Sequence, residues 1–164
     1  MRYRTHVVIT LAIALPIMEK TDTVSLGTTS ALLLGCLLPD IDERASWIGC
    51  RTLRISNVLN KIFRQKDVTH SLFFLILVLM TMGLLVSLIN FNALLAIYFT
   101  FGYALHLIED GFSKNGVRWL LPFTNKSFRF GKDFFYYTTG GPIENVIFYT
   151  SIFTLILESI LLFL

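Results

Sequence analysis

The run from Ser71 to Ile89 contains no charged residue and is apolar almost throughout. About 20 such residues, wound as a helix, cross the hydrocarbon core of a bilayer. Within that core every backbone N–H and C=O must find its partner inside the segment, which leaves a helix as the local structure. The chain is therefore read as a membrane protein. Composition agrees, since 54% of the 164 residues are hydrophobic, more than a soluble domain of this length usually carries.

Four further apolar segments accompany this one. Asn92 or Ala93 to about Ile108 reads as a span, as does Ile143 to Leu164, interrupted only by Glu144 and Glu158. Thr23 to Leu38 is shorter and rich in Gly, Thr and Ser, which suits a helix packed closely against others. His6 to Met18 is shorter still, enough to cross obliquely or partway. With Arg2 and Arg4 before it, this segment has the outline of a signal peptide. It lacks a small-x-small cleavage site, so it is read as a retained helix. The expected fold is all-α: a single domain over residues 1–164, built as a multi-pass bundle of about five helices.

The basic residues orient the bundle. With the N-terminus cytoplasmic, residues 43–69 and 111–142 lie inside, and Lys20 alone of the 14 Lys and Arg falls outside. The inner segments are patterned. Ile55, Val58, Leu59, Ile62 and Phe63 form one helical stripe, with Arg54, Lys61 and Arg64 off it. Such a helix lies on the membrane surface or packs on the bundle. Residues 112–137 interleave aromatic and basic side chains, the mixture found at the head-group level. The net charge of +3 is concentrated in these loops, which points to anionic lipid as partner and not to nucleic acid. Small residues Gly27, Ser30 and Ala31 would suit a further helix, including one from a second copy. Cys36 and Cys50 have neither metal spacing nor a disulfide framework and read as reduced thiols.

This topology brings scattered polar residues to one side. His6 begins the first helix, Asp40 and Asp42 follow the second, His70 begins the third, and His106 with Asp110 ends the fourth. His106 and Asp110 are four apart, on one helical face, and can reach one ion. Taken alone, that pair also reads as a helix-end ion pair. Asp40 and Asp42 lie at the negative end of a helix dipole, an unfavourable place that a cation relieves. Singly, they read as solvated turn residues. His70 could merely face water beside a cap supplied by Thr69 or Ser71. Together, imidazoles and carboxylates from four segments are what a divalent metal site requires.

Several stretches resemble the YdjM-like family of inner-membrane proteins regarded as metal-dependent hydrolases, whose bacterial founder is regulated by LexA. They are Thr5-His6, Leu38-Pro39-Asp40-Ile41-Asp42, Thr69-His70-Ser71, Gly102 to Asp110, and Gly116 to Phe123. Val68 stands where the family has a glycine before Thr-His-Ser. A more distant likeness is to the all-helical zinc-dependent phospholipase C and nuclease P1 group, through the order His6, Asp40, His70, His106, Asp110. That resemblance implies one ion on Asp40, His70, His106 and Asp110, and a second on His6 and a bridging Asp110. No histidine follows His106, so a third ion lacks ligands.

The resulting expectation is a hydrolase of a bacterial inner membrane, with its site on the cytoplasmic side. It would use one or two divalent ions, zinc first and manganese second, on a lipid or lipid-linked phosphoester. Asp42, ahead of Glu109, is the candidate for proton transfer, a role Asp40 could share. Lys114 and Arg118 are candidates for holding a phosphate, or are ordinary inner-loop cations. The competing expectation is a scaffold or regulatory protein with a structural metal. A transporter ranks below both, because no internal repeat is evident and Glu158 is the only charge deep in a span.

Overall fold

The computed structural model describes residues 1–42, 68–131 and 135–162. The expected amphipathic helix from Ile55, and Cys50, lie outside the described residues. Among those described there are five α-helices: α1 (Tyr3–Lys20), α2 (Leu26–Leu37), α3 (Leu72–Ile89), α4 (Ala93–Gly111) and α5 (Pro142–Leu162). The all-α class and the expected number of helices are both found. α1 runs longer than expected at each end and carries Pro16 in its interior.

Local chemistry sets the boundaries. Ser25 caps α2 in a reciprocal box with Thr28, each backbone N–H bonded by the other's hydroxyl at 3.1 Å. Ser71 accepts from Phe74 N at 3.2 Å and caps α3, so it is Ser71 that closes the helix. His70, one position earlier, is left for other work. Asn90 ends α3 in the left-handed region at φ 53°, and Asn92 caps α4 through Leu94 N at 2.9 Å. Pro142 occupies the first turn of α5, where its missing N–H costs nothing.

α4 is the central helix. It packs most extensively on α2 and also on α3 and α1, while α1 lies along α5. Two glycines allow the α2–α4 approach. A methyl group on Gly102 would overlap the Leu32 carbonyl oxygen, and one on Gly35 would overlap that of Phe99. One core cluster, Ala14, Met18, Leu32 and Tyr98, joins α1, α2 and α4. A second, Val78, Tyr103 and Leu107, joins α3 to α4.

Among the described residues, two helices are by themselves long and apolar enough to cross a bilayer: Leu72–Ile89 and Pro142–Ile160. Of the other three, α4 reads from the sequence as a further span, whereas α1 and α2 already read as too short to cross freely. α4 devotes much of its surface to protein contacts and ends in charged residues, and α2 is short. α3 and α5 leave most of their apolar side chains unburied, among them Ile76, Leu79, Leu88, Val146, Phe153 and Ile160. Apolar faces of that extent need a non-aqueous solvent or a partner.

Candidate metal centre

Each side chain of the cluster is delivered by a helix end. α1 supplies His6 one turn in from its start, and α4 supplies His106, Glu109 and Asp110 in its last two turns. After α2 the chain tightens into a 3-10 turn, Leu38–Asp42, because Pro39 cannot continue the α-helical ladder. This turn presents Asp40. A second 3-10 turn, Val68–His70, leads into α3 and presents His70. It is pinned by the Tyr103 hydroxyl, which donates to the Thr69 carbonyl.

The four segments meet. His70 Nε2 and His106 Nε2 lie 3.2 Å apart. Asp40 Oδ1 is 3.5 Å from the first and 3.6 Å from the second. Asp110 Oδ2 is 3.5 Å from both. An ion with tetrahedral bonds of about 2.0–2.2 Å places its ligand atoms about 3.3–3.6 Å apart. Five separations among the ligand atoms of Asp40, His70, His106 and Asp110 are near that length, and Asp40, His70 and His106 form one group that could hold an ion. Two imidazole nitrogens and two carboxylate oxygens are also a donor set that suits zinc. The residues fit the ion.

Asp110 divides its two oxygens. Oδ1 turns the other way, towards His6 Nε2 at 3.3 Å, the Met1 amine at 3.1 Å and the Tyr137 hydroxyl at 2.9 Å. His6, His106 and Asp110 form a second group that could hold an ion. His6 is fully buried and stacks on His106, ring centroids 3.9 Å apart. Its Nδ1 donates to Glu109 Oε2 at 2.5 Å, which leaves Nε2 buried without a hydrogen bond. A carboxylate that holds one ring nitrogen so that the other can ligate is the usual outer support of a metal-binding histidine. Glu109 is held in turn by Thr10, whose hydroxyl donates to Oε1 at 2.9 Å.

Sequence reading ranked Glu109 as a lesser candidate for proton transfer. The geometry instead commits it to His6 and Thr10. Asp40 lies among the ligand atoms. Burial acts to raise its pKa, but its hydrogen bond to His70 and the neighbouring imidazoles hold the carboxyl below the ordinary value. The backbone of Asp42 closes the same 3-10 turn, and its side chain lies outside the described residues. Among the described residues, neither Lys114 nor Arg118 forms an ion pair with Asp40 or Asp110. Both cations line a cavity of 1190 Å³ whose wall includes Asp40, His70 and Asp110.

Sequence reading missed two contributors. Glu144, read as an interruption of the last span, is buried at the start of α5 and accepts from Arg2 N at 2.6 Å and Thr5 Oγ1 at 2.9 Å. It fixes the N-terminal turn of α1 and with it His6. Tyr137, read as one of many interfacial aromatics, is 1% exposed. Its strand-like segment pairs with Phe112–Lys114 through Lys114 N to Tyr137 O at 2.8 Å. Burial beside Asp110 raises the pKa of the hydroxyl above the ordinary tyrosine range, so it stays a donor. Tyr137→Phe is expected to weaken zinc binding by about 10–100-fold, the usual effect of removing an outer-shell partner. Zinc titration against a competing chelator measures it. An unchanged affinity would mean that Tyr137 only packs.

An all-helical protein that gathers histidines and carboxylates at one end of lipid-compatible helices belongs to the class of membrane proteins with a candidate metal centre. The YdjM inner membrane protein family matches residues 1–163, and the chain belongs to that family. It is 33% identical over 103 residues to the uncharacterized protein YvsG of Bacillus subtilis, covering 63% of this chain and 61% of that one. It is 36% identical over 93 residues to the inner membrane protein YdjM of Escherichia coli, covering 55% of this chain and 46% of the relative. The same figures hold for YdjM of Shigella flexneri. The aligned region thus spans about half to three fifths of these relatives. No solved structure matches the chain, and the expected likeness to the zinc-dependent phospholipase C and nuclease P1 group is not shown.

Proposed function

We propose that the protein is a membrane-embedded, metal-dependent hydrolase acting on phosphoester bonds of a lipid or lipid-linked substrate. The observation that carries this reading is the convergence of Asp40, His70, His106 and Asp110 beside a cavity. These four residues would hold one ion, and His6 with Asp110 a second. A bound Zn²⁺ or Mn²⁺ supplies Lewis acidity and an acidified water. Glu109 keeps His6 in the tautomer that leaves Nε2 free. Asp42 is assigned the proton transfer, since Asp40 is occupied as a ligand. Lys114 and Arg118, which line that cavity, are assigned to phosphate binding. With the N-terminus cytoplasmic, the cavity meets the inner leaflet. Exposed Phe123, Phe128, Phe130 and Phe135 seat the surrounding loops among the lipid head groups.

The test is turnover. Zinc-loaded protein in detergent is expected to release phosphate, or a phosphorylated head group, from a member of a phospholipid and phosphodiester panel. Asp42→Asn is expected to retain metal and lose that turnover. Full turnover in Asp42→Asn removes its assigned role. Absence of metal after reconstitution with Zn²⁺ or Mn²⁺ sinks the hydrolase.

One observation favours a second reading, that the metal is structural: four protein ligands can by themselves fill a tetrahedral ion. In that case ligand variants lower thermal stability, and the metal-loaded protein turns over no member of the panel.

A further inference from the structure

The cavity is larger than a single phosphate needs. At 1190 Å³ it exceeds the roughly 300–1,000 Å³ of ordinary small-molecule pockets. Its lining is also unequal in charge. Asp40 and Asp110, with His70, stand on the acidic side of the balance, and Arg2, Arg4, Lys114 and Arg118 on the basic side, among neutral residues that include Tyr3, Val117 and Tyr137. The only acidic side chains among its described lining residues are the two ligand carboxylates, whose charge a divalent ion cancels.

The four cations differ in what already holds them. Arg2 is engaged by α5, through Asn145 Oδ1 at 3.0 Å and Glu144 Oε2 at 3.9 Å. Arg4 is exposed, and its Nε donates to the Tyr3 hydroxyl at 3.2 Å. Lys114 is exposed. Among the described residues, neither Arg4 nor Lys114 forms a salt bridge with a carboxylate. Two cations from distant parts of the chain, α1 and the loop after α4, thus line one cavity together with the metal ligands. A zwitterionic head group would bring its own cation into that field, at a cost. A ligand with a second anionic group would not.

We propose that the cavity binds a diphosphate-bearing ligand, one phosphate at the metal and the other on Arg4 and Lys114. This proposal rests on the hydrolase reading for its location but not for its test, which needs no turnover. The shared chemistry is the diphosphate, whether carried on a lipid or free in solution.

Inorganic pyrophosphate and orthophosphate are titrated calorimetrically into the protein in phosphatidylcholine nanodiscs, both zinc-loaded and chelator-stripped. Pyrophosphate is expected to bind at least about tenfold more tightly than orthophosphate, one charge-assisted contact's worth. Arg4→Ala and Lys114→Ala are each expected to remove most of that preference and to leave bound zinc unchanged. Because both side chains are exposed, their truncation spares the core. Equal affinities for the two anions, or a preference that survives both substitutions, overturns the proposal. Nanodiscs doped with a diacylglycerol diphosphate identify the source. Weakened pyrophosphate binding assigns a lipid ligand, and undiminished binding assigns a soluble one. Loss of zinc binding with the pyrophosphate preference intact would defeat the hydrolase reading alone.

Discussion

Asp110→Ala is expected to empty the metal centre. Oδ2 lies 3.5 Å from the Nε2 atoms of both His70 and His106, and Oδ1 faces His6, so one truncation removes a donor from both groups. The loss in zinc affinity should exceed the 10–100-fold typical of an outer-shell partner. Metal analysis of protein purified in mild detergent, before and after zinc reconstitution, provides the measurement. Wild type is expected to hold stoichiometric metal and the variant none. Asp110 also receives the Met1 amine and the Tyr137 hydroxyl, so its removal strips acceptors from buried donors. Asp110→Asn separates the effects. It keeps a side chain of similar shape that can still accept these bonds, and it should still lose metal. Retention of wild-type metal by both variants would show that the cluster does not bind through Asp110.

The second large effect lies away from the polar residues. Gly102→Ala is expected to destabilise the bundle by about 3 kcal/mol or more, the upper range for forcing a methyl group into a packed contact. The added carbon would overlap the Leu32 carbonyl, which belongs to a helix backbone and cannot rotate aside. α2 and α4 must then separate, moving Asp40 away from His106, so metal content should fall together with the melting temperature. Gly83→Ala is the internal control. Its added methyl group meets nothing within 4 Å, and relief of glycine's helix penalty should stabilise α3 by about 0.5–1 kcal/mol. Opposite signs in thermal unfolding in detergent are the expected result. A neutral Gly102→Ala would mean the two helices do not cross that closely.

The cluster was legible in part because its information is local. His106 and Asp110 share a face by helical spacing, and His6, Asp40 and His70 each adjoin a hydrophobic segment whose ends hydropathy marks. Glu109 was harder to read. One residue from Asp110, it points elsewhere, and only the approach of α1 shows that His6 and Thr10 fill that direction. Tyr137 gave no local signal among so many aromatics, because its role depends on a pairing between Phe112–Lys114 and its own segment.

What the amino-acid order determined by itself is the helical class, the membrane setting and the end of the bundle where polar residues gather. Each follows from short-range rules: backbone hydrogen bonds must close within an apolar segment, and side chains repeat every 3.6 residues. Only the tertiary structure decided which helices face protein and which remain apolar outward. It also decided which Asp110 oxygen serves which histidine, and it brought Arg4 and Lys114 to one cavity. Those outcomes depend on how closely α2 and α4 approach and on hydrogen bonds between residues more than a hundred positions apart, such as His6 with Glu109. Periodicity says which face a residue occupies; packing alone says what that face meets.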